Sequence, residues 1–236
     1  MYWAFSPWIK ALRVYCNFPV IHGNEAQRTT AEIRSLVRDM RIFLRRLVSQ
    51  SAKLMGATVV NHMQHILEKA RNIRAIIFDV DGVLTDGSLY LTDTGEEIKA
   101  FNSQDGHGIK MLKSTGIGIA ILTGRQSTCV DLKAKDWGVT LVYQGAKQKL
   151  PAFEALLEKL HLDGAACAYM GDDLIDLPVL LRCGLAITVP AAPPLVKKHA
   201  HYITRSEGGR GAVREVCEII MQAQNTLEAH LETYLR

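Results

Sequence analysis

From residue 74 onward, short runs of apolar and β-branched residues alternate with stretches in which apolar residues recur every three or four positions. The first pattern predicts strands and the second predicts amphipathic helices. Strands are predicted over Arg74–Asp79, Gly118–Leu122, Thr140–Tyr143, Ala168–Met170, Leu185–Thr188 and Tyr202–Ile203. Helices are predicted near Gly108–Ser114, Ser127–Trp137, Leu150–Leu160, Ile175–Arg182 and Pro194–Ala200. This alternation implies βαβ units, so the predicted fold class is α/β with a doubly wound parallel sheet.

Two further patterns add to this sheet. Residues Ser88–Phe101 are predicted to form a β-hairpin inserted directly after the first strand, because two short apolar segments flank a polar turn around Asp93-Thr94-Gly95. A last helix is predicted from Gly211 onward with one buried face. That face consists of Val213, Val216, Ile220, Ala223, Leu227, Leu231 and Leu235.

The first 62 residues have a different character and are predicted to be a basic, partly helical extension, followed by one α/β domain over 63–236. Residues Ala31–Leu54 have helical periodicity with arginines between the apolar positions. A basic amphipathic helix of this kind could lie on a membrane or act as a transit peptide. We favour an auxiliary helix with solvated arginines, or a non-essential extension, in which case Met55 or Met63 is an alternative start.

Charge and composition narrow the class of protein. The net charge of +4 divides into +6 over residues 1–62 and −2 over the rest, which argues against a catalytic domain made for nucleic acid. No run of about 18 or more apolar residues occurs, which argues against a membrane span. Five cysteines lie far apart without CxxC spacing, which favours free thiols in a reducing cytoplasm over a zinc site or disulfides.

Polar residues follow four of the predicted strands at the point where each strand ends. Ligands of a parallel α/β sheet gather at this edge, so these residues are expected to form one site. Two neighbouring carboxylates repel each other, and a cation that compensates them would make the site metal-assisted. The residues are Asp79 and Asp81, Thr123-Gly124-Arg125, Lys149, and Gly171-Asp172-Asp173 with Asp176.

These four motifs resemble those of the haloacid dehalogenase superfamily of phosphohydrolases. The similarity spans roughly residues 73–217. Within that superfamily the chain resembles the capless 3-deoxy-D-manno-octulosonate 8-phosphate phosphatase family. The features that carry the narrower resemblance are the hairpin, Gln104–Ile109, Gly171–Asp176 and Gly208–Glu215. The resemblance implies a phosphoric monoester hydrolase of lipopolysaccharide biosynthesis, and a homotetramer in which neighbouring chains cover each open active site.

Phosphate chemistry gives each residue a task. Oxygen ligands suit Mg²⁺, so Asp79, Asp172 and the backbone carbonyl of Asp81 are the predicted metal ligands. Asp79 is the predicted nucleophile and forms an aspartyl-phosphate, while the Asp81 carboxylate exchanges protons with the leaving oxygen and with water. Thr123, with the backbone that follows it, and Lys149 are predicted to bind the phosphoryl group. Asp176 is expected to orient Lys149 or metal-bound waters, and Asp173 is either a ligand or a helix cap.

Substrate selection is predicted to involve arginines. Gly124 with Arg125, and Arg210 in its glycine-rich loop, are candidate substrate-binding residues, because a guanidinium group suits the carboxylate of a sugar acid. Arg214 is a weaker candidate, since Glu218 lies one helical turn away and offers an ordinary ion pair. An N-acylneuraminate 9-phosphate phosphatase remains the alternative enzyme. A phosphoacceptor signalling domain ranks low, because the third predicted strand is followed by Gln144 rather than an aspartate, and a non-catalytic interaction module also ranks low.

Overall fold

The computed structural model describes residues 61–235 and contains a six-stranded sheet, a two-stranded hairpin and flanking helices. The strands are β1 (Ala75–Phe78), β2 (Tyr90–Leu91), β3 (Glu97–Ile98), β4 (Gly118–Leu122), β5 (Leu141–Tyr143), β6 (Cys167–Met170), β7 (Leu185–Thr188) and β8 (Tyr202–Ile203). The helices are α1 (61–71), α2 (Ser103–Ser114), α3 (Thr128–Trp137), α4 (Lys149–Leu160), α5 (Leu177–Leu180), α6 (Pro194–His199), α7 (Ala212–Ala223) and α8 (Leu227–Glu232). Short 3₁₀ turns cover Gly164–Ala166 and Leu174–Asp176. The helix predicted over Ala31–Leu54 lies outside the described residues.

The large sheet is entirely parallel, with strand order β5-β4-β1-β6-β7-β8. Strand β1 lies in the middle, where Phe78 is paired with Ile121 of β4 and with Met170 of β6. After β1, the chain adds β4 and β5 on one side of it, and then adds β6, β7 and β8 on the other side. The carboxyl ends of β1, β4 and β6 therefore flank the switch point at which such sheets bind ligands. The predicted α/β class with a doubly wound parallel sheet is confirmed.

Helix α2 begins five residues before the predicted start at Gly108. The Asn102 side chain caps it by accepting hydrogen bonds from the backbone N–H groups of Gln104 and Asp105. Two glycines in the first half of this helix hid it from a periodicity-based prediction. They serve packing, since a Cβ at Gly106 would lie 2.4 Å from Trp137 Nε1 and one at Gly108 would lie 2.9 Å from the Arg214 side chain.

The single helix predicted from Gly211 onward is interrupted. Helix α7 ends at Ala223, Asn225 adopts a left-handed conformation with φ 57°, and α8 begins at Leu227. The Gln224 amide donates hydrogen bonds to two backbone carbonyls at the end of α1 and just after it. The predicted buried face therefore holds through α7, whereas Leu235 near the C-terminus is exposed.

The inserted hairpin is confirmed in shorter form, with Tyr90 opposite Ile98 in an antiparallel pair. Its apolar side chains face outward, and Leu91 is 65% exposed. Among residues 61–235, no helix is long and apolar enough to cross a membrane. The cysteines of this part of the chain, Cys129, Cys167, Cys183 and Cys217, are free thiols, as predicted.

Candidate active site

Asp79 lies directly after β1, at the centre of the sheet edge. Its backbone N–H donates to the Met170 carbonyl at 2.9 Å, which continues the pairing with β6 by one residue. Its side chain is buried, with Oδ1 accepting a hydrogen bond from the Val80 N–H at 2.7 Å and Oδ2 lying 2.6 Å from Lys149 Nζ. The strand and the following turn therefore fix this carboxylate, and a buried lysine partners it.

The turn after Asp79 brings a second carboxylate close. Gly82 has φ 85°, a backbone conformation that side chains with a Cβ rarely adopt. A Cβ at this position would lie 2.0 Å from Asp172 Oδ2. Glycine is therefore needed both for the turn and for the approach of Asp172, which follows β6 on the neighbouring strand.

Lys149 and Asp176 form a buried pair below these carboxylates. Lys149 Nζ lies 2.6 Å from Asp176 Oδ1, and both side chains are fully buried. Tyr169 also donates its hydroxyl to Asp176 Oδ1, at 2.5 Å. Burial acts to lower the pKa of Lys149, but the carboxylates of Asp79 and Asp176 outweigh it and raise that pKa. The ammonium group is therefore kept charged.

The backbone after β6 is held by Asp176 and Asp173. Asp176 Oδ2 accepts hydrogen bonds from the N–H groups of Asp172 and Asp173, each at 3.0 Å. Asp173 in turn caps the following 3₁₀ turn by accepting from the Leu174 N–H. The exposed Asp173 side chain thus acts as a helix cap, and Asp176 orients Lys149 and the loop that carries Asp172.

The Thr123-Gly124-Arg125 turn follows β4 on the other side of Asp79. Thr123 is buried, and its backbone is anchored by hydrogen bonds to Tyr143 and Ala146. The Arg125 N–H lies 3.4 Å from Thr123 Oγ1, a weak hydrogen bond across the turn. A hydroxyl and backbone N–H groups at a turn between strand and helix are groups that bind phosphate oxygens.

Asp81 contacts residues of the hairpin that the sequence reasoning missed. Lys99 Nζ forms an ion pair with Asp81 Oδ1 and lies 3.4 Å from Glu97 Oε1, and its side chain is only 1% exposed. Arg125 Nη2 donates to the same Glu97 oxygen at 2.8 Å. The ion pairs of Lys99 depend on how the hairpin folds back. The only signal in the sequence was a cation on a short strand of alternating polarity.

These residues surround one cavity of about 220 Å³, lined by Asp79, Asp81, Gly87, Thr123, Gly124, Arg125, Lys149, Asp172, Asp173 and Ile175. The predicted residues therefore come together, with one exception. Arg210 is not among the lining residues, and its exposed side chain lies 3.5 Å from Asp86. A role for Arg210 in substrate binding stays a prediction. Arg214 forms the predicted ion pair with Glu218, at 2.6 Å.

The carboxylates of this cavity carry more negative charge than the side-chain cations balance. Burial is the main cause that raises the pKa of Asp79 to about 6, against the attraction of Lys149. Burial and the charges of Asp79 and Asp176 raise the pKa of Asp172 to about 7. Oxygens of Asp79, Asp172 and Asp176 lie within 4.8 Å of one another, a spacing that suits one metal ion. The donors are all oxygens, which is the set that Mg²⁺ prefers.

Comparison with known proteins identifies the family. A family model described as haloacid dehalogenase-like hydrolase matches residues 127–216. The 3-deoxy-D-manno-octulosonate 8-phosphate phosphatase of Escherichia coli is 49% identical over 163 residues, 69% of this chain and 87% of that protein. The structure of the phosphatase of the same name from Yersinia pestis is 48% identical with a TM-score of 0.68, over 69% of this chain and 88% of its own.

A further solved structure shows what one relative binds. The 3-deoxy-D-manno-octulosonate 8-phosphate phosphatase from Moraxella catarrhalis, in complex with a magnesium ion, a phosphate ion and KDO, is 44% identical with a TM-score of 0.72. The match covers 73% of this chain and 99% of that one. This chain therefore belongs to the 3-deoxy-D-manno-octulosonate 8-phosphate phosphatase family of haloacid dehalogenase-like hydrolases, a family of phosphoric monoester hydrolases.

Proposed function

We propose that this chain is a magnesium-dependent phosphatase that hydrolyses 3-deoxy-D-manno-octulosonate 8-phosphate to the free sugar acid and phosphate through an aspartyl-phosphate on Asp79. The observation that carries the proposal is the buried contact between Asp79 and Lys149 at the carboxyl end of β1, in the cavity that Asp172 also lines. A phosphate monoester carries about two negative charges at neutral pH. A carboxylate reaches such a group only where cations offset the repulsion.

The charges around the cavity support a divalent cation. Six carboxylates line the cavity or contact its lining residues, namely Asp79, Asp81, Glu97, Asp172, Asp173 and Asp176, and three cations, Lys99, Arg125 and Lys149, offset part of their charge. The remaining excess of negative charge favours the binding of a divalent cation such as Mg²⁺. Asp79, Asp172 and the backbone carbonyl of Asp81 would hold the ion. When bound there, Mg²⁺ supplies the positive charge that compensates these carboxylates and the phosphoryl oxygens.

Asp176 is proposed as a positioning residue rather than a ligand, although its oxygens lie close to those of Asp79 and Asp172. Its Oδ1 already accepts from Lys149 and Tyr169, and its Oδ2 accepts from two backbone N–H groups. Four donors satisfy the four lone-pair sites of a carboxylate. Asp176 thus supports the Lys149 ammonium and the Asp172 loop.

The chain's own residues account for the chemical steps. An oxygen of the Asp79 carboxylate forms a bond to phosphorus while the bond between phosphorus and the sugar oxygen breaks. Asp81 gives a proton to that departing oxygen and later removes one from the water that hydrolyses the aspartyl-phosphate. Thr123 and the N–H groups after it would hold the phosphoryl oxygens, and Lys149 would stabilise their charge. Gly124 and Arg125, at the rim of the cavity, are proposed to contact the sugar acid.

The test is a phosphate-release assay with the eight-carbon and nine-carbon sugar-acid phosphates, with and without Mg²⁺. We expect a larger kcat/KM for the octulosonate 8-phosphate, loss of activity in chelator, and no turnover by Asp79→Asn. Mass spectrometry of rapidly quenched enzyme should show a phosphate attached to Asp79. A larger kcat/KM for the nine-carbon substrate would favour the N-acylneuraminate 9-phosphate phosphatase, and full activity of Asp79→Asn would exclude the proposed nucleophile.

We also propose a homotetramer whose hairpins pack against one another, acting in the cytoplasm in lipopolysaccharide biosynthesis. The hairpin supports this assembly because it exposes three consecutive apolar residues, Leu89, Tyr90 and Leu91, together with Ile98 on the facing strand. Apolar patches of this kind mark interaction sites. Light scattering should find a tetramer for the wild type and smaller species for Leu91→Asp. A fully active monomeric wild type would contradict the assembly. Accumulation of the 8-phosphate in cells that lack the protein would support the pathway.

A further inference from the structure

The two aspartates that follow β1, Asp79 and Asp81, each contact a lysine with a buried side chain. The proposed function uses only one of these lysines, Lys149. Lys149 partners Asp79, as described above. Lys99 partners Asp81, although it comes from the hairpin and is 18 residues away in sequence. Its side chain is 1% exposed, which is unusual for a lysine and requires charged partners. Asp81 and Glu97 provide those partners.

The two oxygens of the Asp81 carboxylate have different surroundings. Oδ1 forms the ion pair with Lys99. Oδ2 is buried and is the only buried side-chain nitrogen or oxygen between residues 61 and 235 that lacks a hydrogen-bond partner. Arg125 Nε lies 3.8 Å from Oδ2, which is beyond hydrogen-bond distance. A buried carboxylate oxygen without a partner is costly, and such atoms call for a functional explanation.

We propose that Lys99 is a positioning residue for proton transfer: it holds Asp81 by Oδ1, so that Oδ2, which has no hydrogen-bond partner, can exchange protons with the reacting oxygens in the cavity that Asp81 lines. The inference rests on the proposed function, in which Asp81 is the acid and base. As the bond from phosphorus to the sugar oxygen breaks, the proton on Oδ2 moves to that oxygen. The Lys99 ammonium then stabilises the carboxylate that remains. In the second step, Oδ2 takes a proton from the water whose oxygen bonds to phosphorus, while the bond between phosphorus and the Asp79 oxygen breaks and releases the Asp79 carboxylate.

A second hairpin residue, Glu97, links Lys99 to Arg125, which lines the cavity. Glu97 accepts from both Lys99 and Arg125, and its side chain is 16% exposed. A hydrogen bond from Ser127, together with those from Arg125 and Lys99, outweighs burial and lowers the pKa of Glu97. Glu97 therefore stays ionised and gives the Lys99 ammonium a second carboxylate partner besides Asp81. The hairpin thus takes part in the active site of its own chain, in addition to any role in assembly.

The test compares two substrates that differ in their need for an acid. An alkyl oxygen of a sugar phosphate must be protonated as it leaves, whereas the nitrophenolate of p-nitrophenyl phosphate leaves as a stable anion. Because kcat/KM reports the first chemical step, Lys99→Met should lower kcat/KM about 100-fold for the octulosonate 8-phosphate and less than about threefold for p-nitrophenyl phosphate. Lys99→Arg, which keeps a cation on the hairpin, should recover at least about tenfold on the sugar phosphate.

Controls separate positioning from folding. Lys110→Met removes a lysine whose Nζ lies 3.2 Å from Asp136 on an exposed surface, and both substrates should be turned over as by the wild type. Thermal unfolding of each variant checks the fold, and Lys99→Gln replaces Lys99→Met if the latter does not fold. Equal losses of kcat/KM on both substrates would indicate a purely structural role and overturn the inference. Unchanged turnover of both substrates would overturn it as well.

Asp81→Asn separates this inference from the proposed function. If Asp81→Asn lowers kcat/KM much more for the sugar phosphate than for p-nitrophenyl phosphate while Lys99→Met does not, the inference about Lys99 fails and the role of Asp81 as the acid stands. If Asp81→Asn lowers kcat/KM equally for both substrates, the assignment of Asp81 as the acid is wrong. The inference is supported only if both variants show the same preference.

Discussion

Lys149→Met removes the cation that lies between two buried carboxylates, and its consequence for stability can be estimated from the structure. Lys149 Nζ lies 2.6 Å from Asp79 Oδ2 and 2.6 Å from Asp176 Oδ1, with no exposure of the lysine side chain. Methionine preserves the length and apolar stem but leaves two buried charges without their partner. Removal of one partner from a buried ion pair costs about 3–5 kcal/mol. We expect a loss of this size in the free energy of unfolding, measured at pH 8 in chelator.

The loss in the free energy of unfolding of Lys149→Met should become smaller as the pH falls. The direction of this pH dependence follows from the pKa of Asp79. Burial already raises the pKa of Asp79 to about 6, and the attraction of Lys149 opposes that rise. Without Lys149 the folded-state pKa moves further above the unfolded value of 3.8. A group with a raised carboxyl pKa binds its proton more tightly in the folded state, so protonation favours folding. Each unit of pKa shift corresponds to about 1.4 kcal/mol, and the variant should therefore recover much of its deficit between pH 8 and pH 5.

Urea unfolding followed by circular dichroism, at pH 8 and at pH 5 in chelator, measures both quantities. Lys147→Met is the matched control, because this exposed lysine lies two residues away, and it should change stability by less than about 0.5 kcal/mol. A deficit of Lys149→Met below about 1 kcal/mol at pH 8, or an equal deficit at both pH values, would refute the view that Lys149 compensates buried charge.

Three further changes test other parts of the site and fold. Gly82→Ala should lower kcat at least about 100-fold, because its Cβ would lie 2.0 Å from Asp172 Oδ2; steady-state kinetics near the wild-type values would contradict this. Tyr169→Phe should reduce the free energy of unfolding by about 1.5–3 kcal/mol, since it removes a buried hydrogen bond to the charged Asp176; urea unfolding measures the loss. Burial acts to raise the pKa of Glu215. Hydrogen bonds from the Tyr202 hydroxyl and from the backbone N–H groups of Arg205 and Ser206 outweigh burial and lower that pKa overall. The stability that this carboxylate contributes is therefore present above its ordinary pKa of 4.5 and is lost as the pH falls through the lower folded-state value, so Glu215→Gln should lose less stability than the wild type between pH 6 and pH 3.

The sheet and its strand ends could be predicted from the sequence because they depend on local patterns. The short, β-branched apolar runs between helical patterns predict buried strands, and the parallel arrangement then brings the residues after β1, β4 and β6 to one edge. Asp79, Thr123 and Asp172 were located by this reasoning alone. The side-chain partners of these residues could be predicted only where another element begins at the same edge. Lys149 is such a partner, because it is the first residue of α4.

Features that depend on contacts between distant segments could not be predicted in this way. The apolar spacing continues through residues 224–226, so it gave no sign that the chain would turn at Asn225 and end α7. The start of α2 was hidden because its glycines look unfavourable for a helix until Trp137 and Arg214 are seen to pack against them. In both cases tertiary packing outweighs the local preference of the chain.

Lys99 is the clearest example of this limit, and comparison with Lys149 shows why. Both lysines are buried, and each lies between two carboxylates: Asp79 and Asp176 for Lys149, Asp81 and Glu97 for Lys99. Lys149 is carried to the site by a strand and the helix after it, whose positions the sheet fixes. Lys99 reaches the site only through the way the hairpin folds back, which no periodicity encodes. Charge gives the missing constraint, because a half-buried aspartate beside the nucleophile favours a nearby cation, and the hairpin is the neighbouring segment that supplies one.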